Sequence, residues 1–217
     1  MTEEIRAVAF DMDGLLINTE DLYEDVGKIL LSRRGKVYRE DVRQKMIGLP
    51  APEAFGVIIE AENLLESWQD LQRETDEIFE EILEERLMLM AGVESLLDRI
   101  EAKGLPKCVA TSSTKSFAQK ALKQVGLYDR FEFVLTAAEV GKGKPHPDIY
   151  QEAARKLEVH VGNMLVLEDS ENGTKAGVAA TAYVVSVPNR HTKQGNFKGC
   201  KFVADSLLDE RLLHLFL

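Results

Sequence analysis

Cysteine is scarce, with two residues in 217, Cys108 in an apolar run and Cys200 in a polar stretch. That excludes a disulfide framework and a thiolate metal centre, because neither the number nor the spacing of sulfurs is there, and it points to a reducing compartment. Basic charge is also short: 27 Lys and Arg stand against 37 Asp and Glu, a net charge of -10. A protein that holds nucleic acid by neutralising phosphates needs the opposite balance, so no nucleic-acid partner is expected. Long apolar runs are missing too. The longest weakly polar stretch, Gly177 to Val187, is far too short to span a bilayer, and Met1-Thr2-Glu3-Glu4 is the reverse of a basic leader. A cytoplasmic protein without a membrane partner is the expectation. Internal repeats and low-complexity tracts are absent as well.

What is present is the composition of a globular enzyme-sized chain, 45% hydrophobic and 29% charged, long enough for one large domain or a core with a smaller partner. The charge is unevenly spread. Residues 53 to 86 hold 12 acidic side chains against Arg73 and Arg86, whereas residues 103 to 201 hold 15 Lys or Arg against 9 Asp or Glu. The acidic run reads as a solvated helical face, and the basic excess would draw a small anion to the second half of the chain.

Short runs rich in Val, Ile and Phe recur at Ile5 to Phe10, Lys107 to Thr111, Phe131 to Leu135, Met164 to Leu167 and Tyr183 to Val187, and each predicts a buried strand. Amphipathic helical stretches lie between most of them, at Val93 to Lys103, Ser116 to Val125, Pro147 to Leu157 and Gly173 to Ala180. The alternation predicts an α/β fold, a Rossmann-like parallel sheet wrapped by helices. Between the first two runs, however, lie about 95 residues, where a crossover needs only about a dozen. Leu22, Val26, Ile29 and Leu30, and later Ile78, Ile82, Leu83 and Leu87, fall at helical spacing there. An inserted all-α cap domain is therefore expected at 16–88, with a discontinuous core of 1–15 and 89–217.

In an open parallel sheet ligands bind outside the carboxyl ends of the strands, so the residues after each run carry the functional information. They read Asp11-Met12-Asp13-Gly14, Thr111-Ser112-Ser113 and Glu168-Asp169-Ser170, joined by Gly143-Lys144-Pro145-His146-Pro147. Taken singly these segments are bland: a turn, a helix cap, a strand-end ion pair and a loop lysine before a helix start. The first also fails as a calcium loop, since Leu15 stands at a ligand position and no Glu closes it. Together they place carboxylates from two strand ends on one edge. Such a cluster repels itself unless a cation or a shared proton is bound, and oxygen donors without His or Cys suit Mg²⁺. A carboxylate nucleophile, a second carboxyl two residues on, a hydroxyl, a fixed cation and a metal are the parts of a phosphoryl-transfer site.

On these four motifs the chain resembles the haloacid dehalogenase-like superfamily of aspartate-nucleophile enzymes with a helical cap. The run Phe10-Asp11-Met12-Asp13-Gly14-Leu15-Leu16-Ile17-Asn18-Thr19-Glu20 is similar to its beta-phosphoglucomutase and pseudouridine-5'-phosphatase-like branch. The resemblance implies that Asp11 is the nucleophile and becomes an aspartyl phosphate, and that Asp13 protonates the leaving group and then activates water. It implies that Thr111, with backbone N–H groups around Ser112 and Ser113 at a helix start, binds the phosphoryl oxygens, and that Lys144 neutralises nucleophile and phosphoryl group. Mg²⁺ would be held by Asp169, the Asp11 side chain and the Asp13 carbonyl, with Glu168 beside them. The implied activity is a phosphatase acting on a small phosphorylated metabolite, a sugar phosphate or nucleoside-type monophosphate, and a monomer is expected.

The chain departs from the branch at Asn18, where Asp is usual, and at Thr181, where Gly commonly precedes the fifth strand. Where the mutase has a cap His and a basic loop, this chain has Tyr23 and Ile47-Gly48-Leu49-Pro50-Ala51. That disfavours the alternative of a hexose-phosphate mutase, which must grip a second phosphate. Asp13 disfavours dehalogenase and phosphonatase chemistry. A non-catalytic receiver-like phospho-acceptor module is the other class to weigh, but such modules are shorter, lack a cap and carry the acceptor on a middle strand. A binding-only relative is disfavoured by four intact motifs.

Overall fold

The computed structural model describes residues 4–46 and 51–217. Its contacts divide the chain into two compact units, residues 1–18 with 88–217, and residues 19–87.

The first unit is built on six strands: β1 (Ala7–Phe10), β2 (Lys107–Thr111), β3 (Val134–Thr136), β4 (Met164–Glu168), β5 (Tyr183–Ser186) and β6 (Phe202–Val203). All pair in parallel in the order β3-β2-β1-β4-β5-β6, which bears out the predicted α/β class. Helices α5 (Val93–Ala102), α6 (Lys115–Gln124), α7 (Asp148–Lys156), α8 (Glu171–Ala179) and α9 (Glu210–Leu213) connect and follow these strands. Alternate residues of a strand share one face. Ala7 and Ala9, Cys108 and Ala110, and Met164 and Val166 line one such face, where they pack with Ile149, Tyr150 and Ala153 of α7 and Ala176 of α8. The small side chains let the helices approach closely.

Two strands differ from the sequence expectation. The third starts at Val134 rather than Phe131, because Tyr128–Arg130 form a 3₁₀ turn and Phe131 instead packs edge-on against Phe10, with ring centroids 5.6 Å apart. The sixth, two residues long, was not expected at all. Thr181, which precedes β5, has φ +64°, a left-handed conformation that a β-branched residue rarely takes.

The second unit is helical: α1 (Thr19–Ser32), α2 (Glu40–Met46), α3 (Ala51–Glu62) and α4 (Trp68–Arg86). Leu22, Val26 and Leu30 of α1 and Leu71, Ile78 and Ile82 of α4 are buried, and each set keeps helical spacing. Ser67 caps α4 by accepting from the Asp70 N–H. Arg34 bridges Glu66 at 2.8 Å and Glu74 at 2.6 Å, fastening the chain after α1 to the start and first turns of α4. Within the acidic run, Glu77, Glu80, Glu81, Glu84 and Glu85 are exposed on α4, the solvated face that their spacing suggested. Positions 47–50 of the segment compared with the mutase loop lie outside the described residues. Among the described residues no helix is long and apolar enough to cross a membrane.

Candidate active site

The strand order reverses direction between β1 and β4, which pair with Phe10 opposite Leu167. The next residues, Asp11 and Glu168, therefore emerge side by side at the carboxyl edge, at the switch point where open α/β sheets bind ligands. The Asp11 N–H donates to the Leu167 carbonyl at 2.9 Å, so the ladder holds Asp11 one residue past the last strand position. Oxygens of Asp11, Glu168 and Asp169 lie within 4.8 Å of one another, and all three residues are buried.

Lys144 supplies the matching cation. Its Nζ donates to Asp11 Oδ1 and to the Ala110 carbonyl at 2.9 Å, and lies 2.6 Å from Glu168 Oε1. Burial works against a charged ammonium, but Asp11 and Glu168 outweigh it and hold the lysine above its ordinary range. Asp11 is pushed the other way. Burial first and the Glu168 charge second raise its carboxyl well above the usual carboxylate range, with Asp13 adding to the rise and Lys144 opposing it.

This imbalance is the test of whether the site suits a metal. One ammonium faces three clustered carboxylates, with Asp13 nearby, and the donors are all oxygen, so a hard divalent cation fits both charge and ligand chemistry. Asp11 and Asp169 are the residues best placed to hold it. Both Glu168 oxygens are already engaged: Oε1 accepts from the Tyr150 hydroxyl at 2.5 Å and from Lys144, and Oε2 from Ser170 Oγ at 3.1 Å. Glu168 is pinned under the start of α8, where a Cβ on Gly173 would lie 1.8 Å from its carboxylate.

Asp13 is oriented from β2. Its Oδ2 accepts from Thr111 Oγ1 at 3.1 Å and from Ser113 Oγ at 2.7 Å, while the Ser113 N–H donates to Thr111 Oγ1 at 3.0 Å. The Thr111 and Ser113 side chains thus hold Asp13. Helix α6 begins at Lys115, one residue before the expected Ser116. Thr114 is its N-cap, accepting from the Phe117 N–H at 3.4 Å, and Ser112 is exposed.

The sequence reading missed three contributors. Asn189 Nδ2 donates to Asp169 Oδ2 at 2.8 Å and to the Gly14 carbonyl at 3.0 Å, tying the β4 edge to the Asp-x-Asp-Gly turn. That turn needs glycine: Gly14 has φ +77°, and a Cβ there would meet Asn189 and Asp169 at 2.5 and 2.7 Å. Asn189 lies just past β5, so the strand-end rule would have reached it. Tyr150 and Gly173 carry no comparable signal, since each reads as an ordinary helix residue.

The profile described as haloacid dehalogenase-like hydrolase matches residues 8–187. The chain belongs to that family. It is 34% identical to a Drosophila melanogaster protein named "Probable pseudouridine-5'-phosphatase", over 92% of this chain and 89% of that one. It is 30% identical to the phosphorylated carbohydrates phosphatase of Thermotoga maritima, over 81% of this chain and 82% of that relative. The solved structure of a haloacid dehalogenase family hydrolase from Deinococcus radiodurans superposes with a TM-score of 0.84 over 99% of this chain and 98% of that one; at 23% identity it speaks to the fold. The expectation of a phosphomonoester hydrolase of this family stands on these relatives.

Proposed function

We propose that the chain is a Mg²⁺-dependent phosphatase that hydrolyses a small phosphomonoester through an aspartyl phosphate on Asp11. The observation that carries this reading is the buried Asp11–Lys144 contact at a carboxylate cluster of oxygen donors. The names of the relatives, which include phosphatases of phosphorylated carbohydrates and of pseudouridine 5'-phosphate, support the substrate class.

In this reading a bound Mg²⁺ supplies charge neutralisation and orientation of the phosphoryl group. Asp11 attacks phosphorus, forming the Asp11 O–P bond as the ester P–O bond breaks. Lys144 stands against the nucleophile and offsets the negative charge that approaches it. Asp13, held by Thr111 and Ser113, donates its proton to the departing oxygen. The same carboxylate then takes a proton from water, whose oxygen attacks the aspartyl phosphate and releases inorganic phosphate with Asp11 regenerated. Asn189 keeps Asp169 aimed at the cluster.

A phosphate-release screen over phosphorylated sugars, polyols and nucleotides tests the reading. Release is expected with Mg²⁺ and is expected to disappear with EDTA. Full activity after exhaustive chelation would contradict the metal assignment, and no release from any phosphomonoester would contradict the activity.

A further inference from the structure

Each carboxylate of the Asp11, Glu168 and Asp169 cluster has at least one oxygen committed to a donor of the protein. Asp11 Oδ1 accepts from Lys144 Nζ. Glu168 is engaged at both oxygens, Oε1 by the Tyr150 hydroxyl at 2.5 Å, and Oε2 by Ser170 through its Oγ at 3.1 Å and its N–H at 3.4 Å. Asp169 Oδ2 accepts from Asn189 Nδ2 at 2.8 Å. A cation entering the cluster therefore meets carboxylates that already share their oxygens with hydrogen-bond donors.

Asn189 stands apart among these donors. Lys144 carries charge and touches Asp11, and Tyr150 and Ser170 act on Glu168. Asn189 is neutral, half-buried and held from outside the cluster. Its Oδ1 accepts from the His191 N–H at 2.8 Å, its Nδ2 donates also to the Gly14 carbonyl at 3.0 Å, and its own N–H donates to Thr192 Oγ1 at 3.0 Å. The Gly14 carbonyl can only accept and the His191 N–H can only donate, so the amide has one orientation, with its nitrogen on Asp169. The loop after β5 thus sets the donor on Asp169 Oδ2 independently of the other carboxylates.

A committed oxygen matters differently to the two common hard cations. Ca²⁺ takes about six to eight oxygens in flexible geometry and often grips a carboxylate through both of its oxygens. Mg²⁺ is smaller, needs near-octahedral geometry, keeps several waters and is held by one or two carboxylates. A two-oxygen grip on Asp169 must include Oδ2, the atom on which the Asn189 N–H sits, whereas a one-oxygen grip does not require that atom.

We propose that Asn189 is a specificity-determining residue for the metal: its amide restricts Asp169 to one-oxygen coordination and so favours Mg²⁺ over Ca²⁺. The inference rests on the metal-dependent reading of the site and adds to it the residue that chooses the ion. Without the amide, Asp169 can turn both oxygens to the cation. That turn benefits Ca²⁺ and loosens a ligand that Mg²⁺ needs fixed.

The test is calorimetric titration of the full chain, freed of metal with EDTA and dialysed, with MgCl₂ and with CaCl₂ in the absence of any phosphate ester. The wild type is expected to bind Mg²⁺ at least as tightly as Ca²⁺. Asn189→Leu, which keeps the branched shape without the donor, and Asn189→Ala are each expected to weaken Mg²⁺ binding and to shift the ratio of the two dissociation constants at least about tenfold towards Ca²⁺. Tighter Ca²⁺ than Mg²⁺ binding by the wild type overturns the proposal without recourse to a variant. An unchanged ratio in both variants, including an equal loss for both cations as a merely structural role would give, also overturns it, and binding of neither cation overturns it together with the metal assignment. Phosphate release from p-nitrophenyl phosphate by the wild type with Mg²⁺ separates the two readings. Release with an unchanged ratio in the variants removes the Asn189 assignment alone, and a shifted ratio without release supports Asn189 while removing the phosphatase reading.

Discussion

Replacing Tyr150 by Phe removes one oxygen from a side chain that is 0% exposed, and with it the donor 2.5 Å from Glu168 Oε1. A hydrogen bond to a charged group contributes about 1.5–3 kcal/mol, the lower end where the acceptor keeps other donors. Glu168 keeps three of them, Lys144 Nζ at 2.6 Å, Ser170 Oγ at 3.1 Å and the Ser170 N–H at 3.4 Å. The expected destabilisation is therefore about 1.5 kcal/mol, which for a chain of this length lowers Tm by roughly 3–6 °C. Turnover should stay within about tenfold, a barrier change of ~1.4 kcal/mol, because the remaining donors still aim the carboxylate. Urea unfolding followed by circular dichroism measures the first quantity, with an unchanged m-value as the check that the unfolded state is the same. A loss below about 0.5 kcal/mol would refute the reasoning, since it would mean that Glu168 does not depend on this hydroxyl.

Gly173→Ala is expected to cost at least about 3 kcal/mol, because its Cβ would lie 1.8 Å from the Glu168 carboxylate, which has no room to move; near-wild-type unfolding in urea would contradict that packing. Thr181→Gly should stabilise the chain by about 0.5–1 kcal/mol, the left-handed strain of about 1–2 kcal/mol less the added flexibility of unfolded glycine. An unchanged or lowered Tm would show that the turn carries no such strain. Glu101 receives Arg130 in a bidentate pair at 2.9 and 2.7 Å and lies 2.9 Å from Lys107, and it is held down to about 2 from 4.5. A depressed carboxylate stabilises the fold above its unfolded value and loses that contribution as pH falls from about 4.5 towards 2. With 39% of the side chain exposed, screening leaves about 1 kcal/mol, so Glu101→Gln should flatten that part of the stability-pH curve; identical curves would contradict it.

The sheet was legible because a doubly covered parallel strand reads as a nearly continuous apolar run, and β1, β2 and β4 are fully buried, with polar side chains only at strand ends. Asp11 and Asp169 could be placed at one edge because both follow such runs and parallel strands share a carboxyl end. The two-residue β6 is too short to carry any period. Tyr150 was hidden because helical spacing marks it only as a core residue, and its hydroxyl acts across 18 positions of sequence. Gly173 was hidden for a related reason: nothing local distinguishes a glycine excluded by Glu168 from one at an ordinary helix start. The roles of Thr111 and Ser113 toward Asp13 depend on how the β1 and β2 edges meet, 98 and 100 residues apart in sequence.

The central claim is that Asp11 carries the phosphoryl group during turnover. Rapid acid quench of the enzyme turning over its best phosphomonoester with Mg²⁺, followed by peptide mass spectrometry, tests it directly. The account predicts a hydroxylamine-labile phosphoryl adduct on the peptide containing Asp11, localised to that residue and absent from Asp11→Asn. An adduct on Asp13 or Ser113 in the wild type, or turnover by Asp11→Asn within about tenfold of wild type, would contradict it.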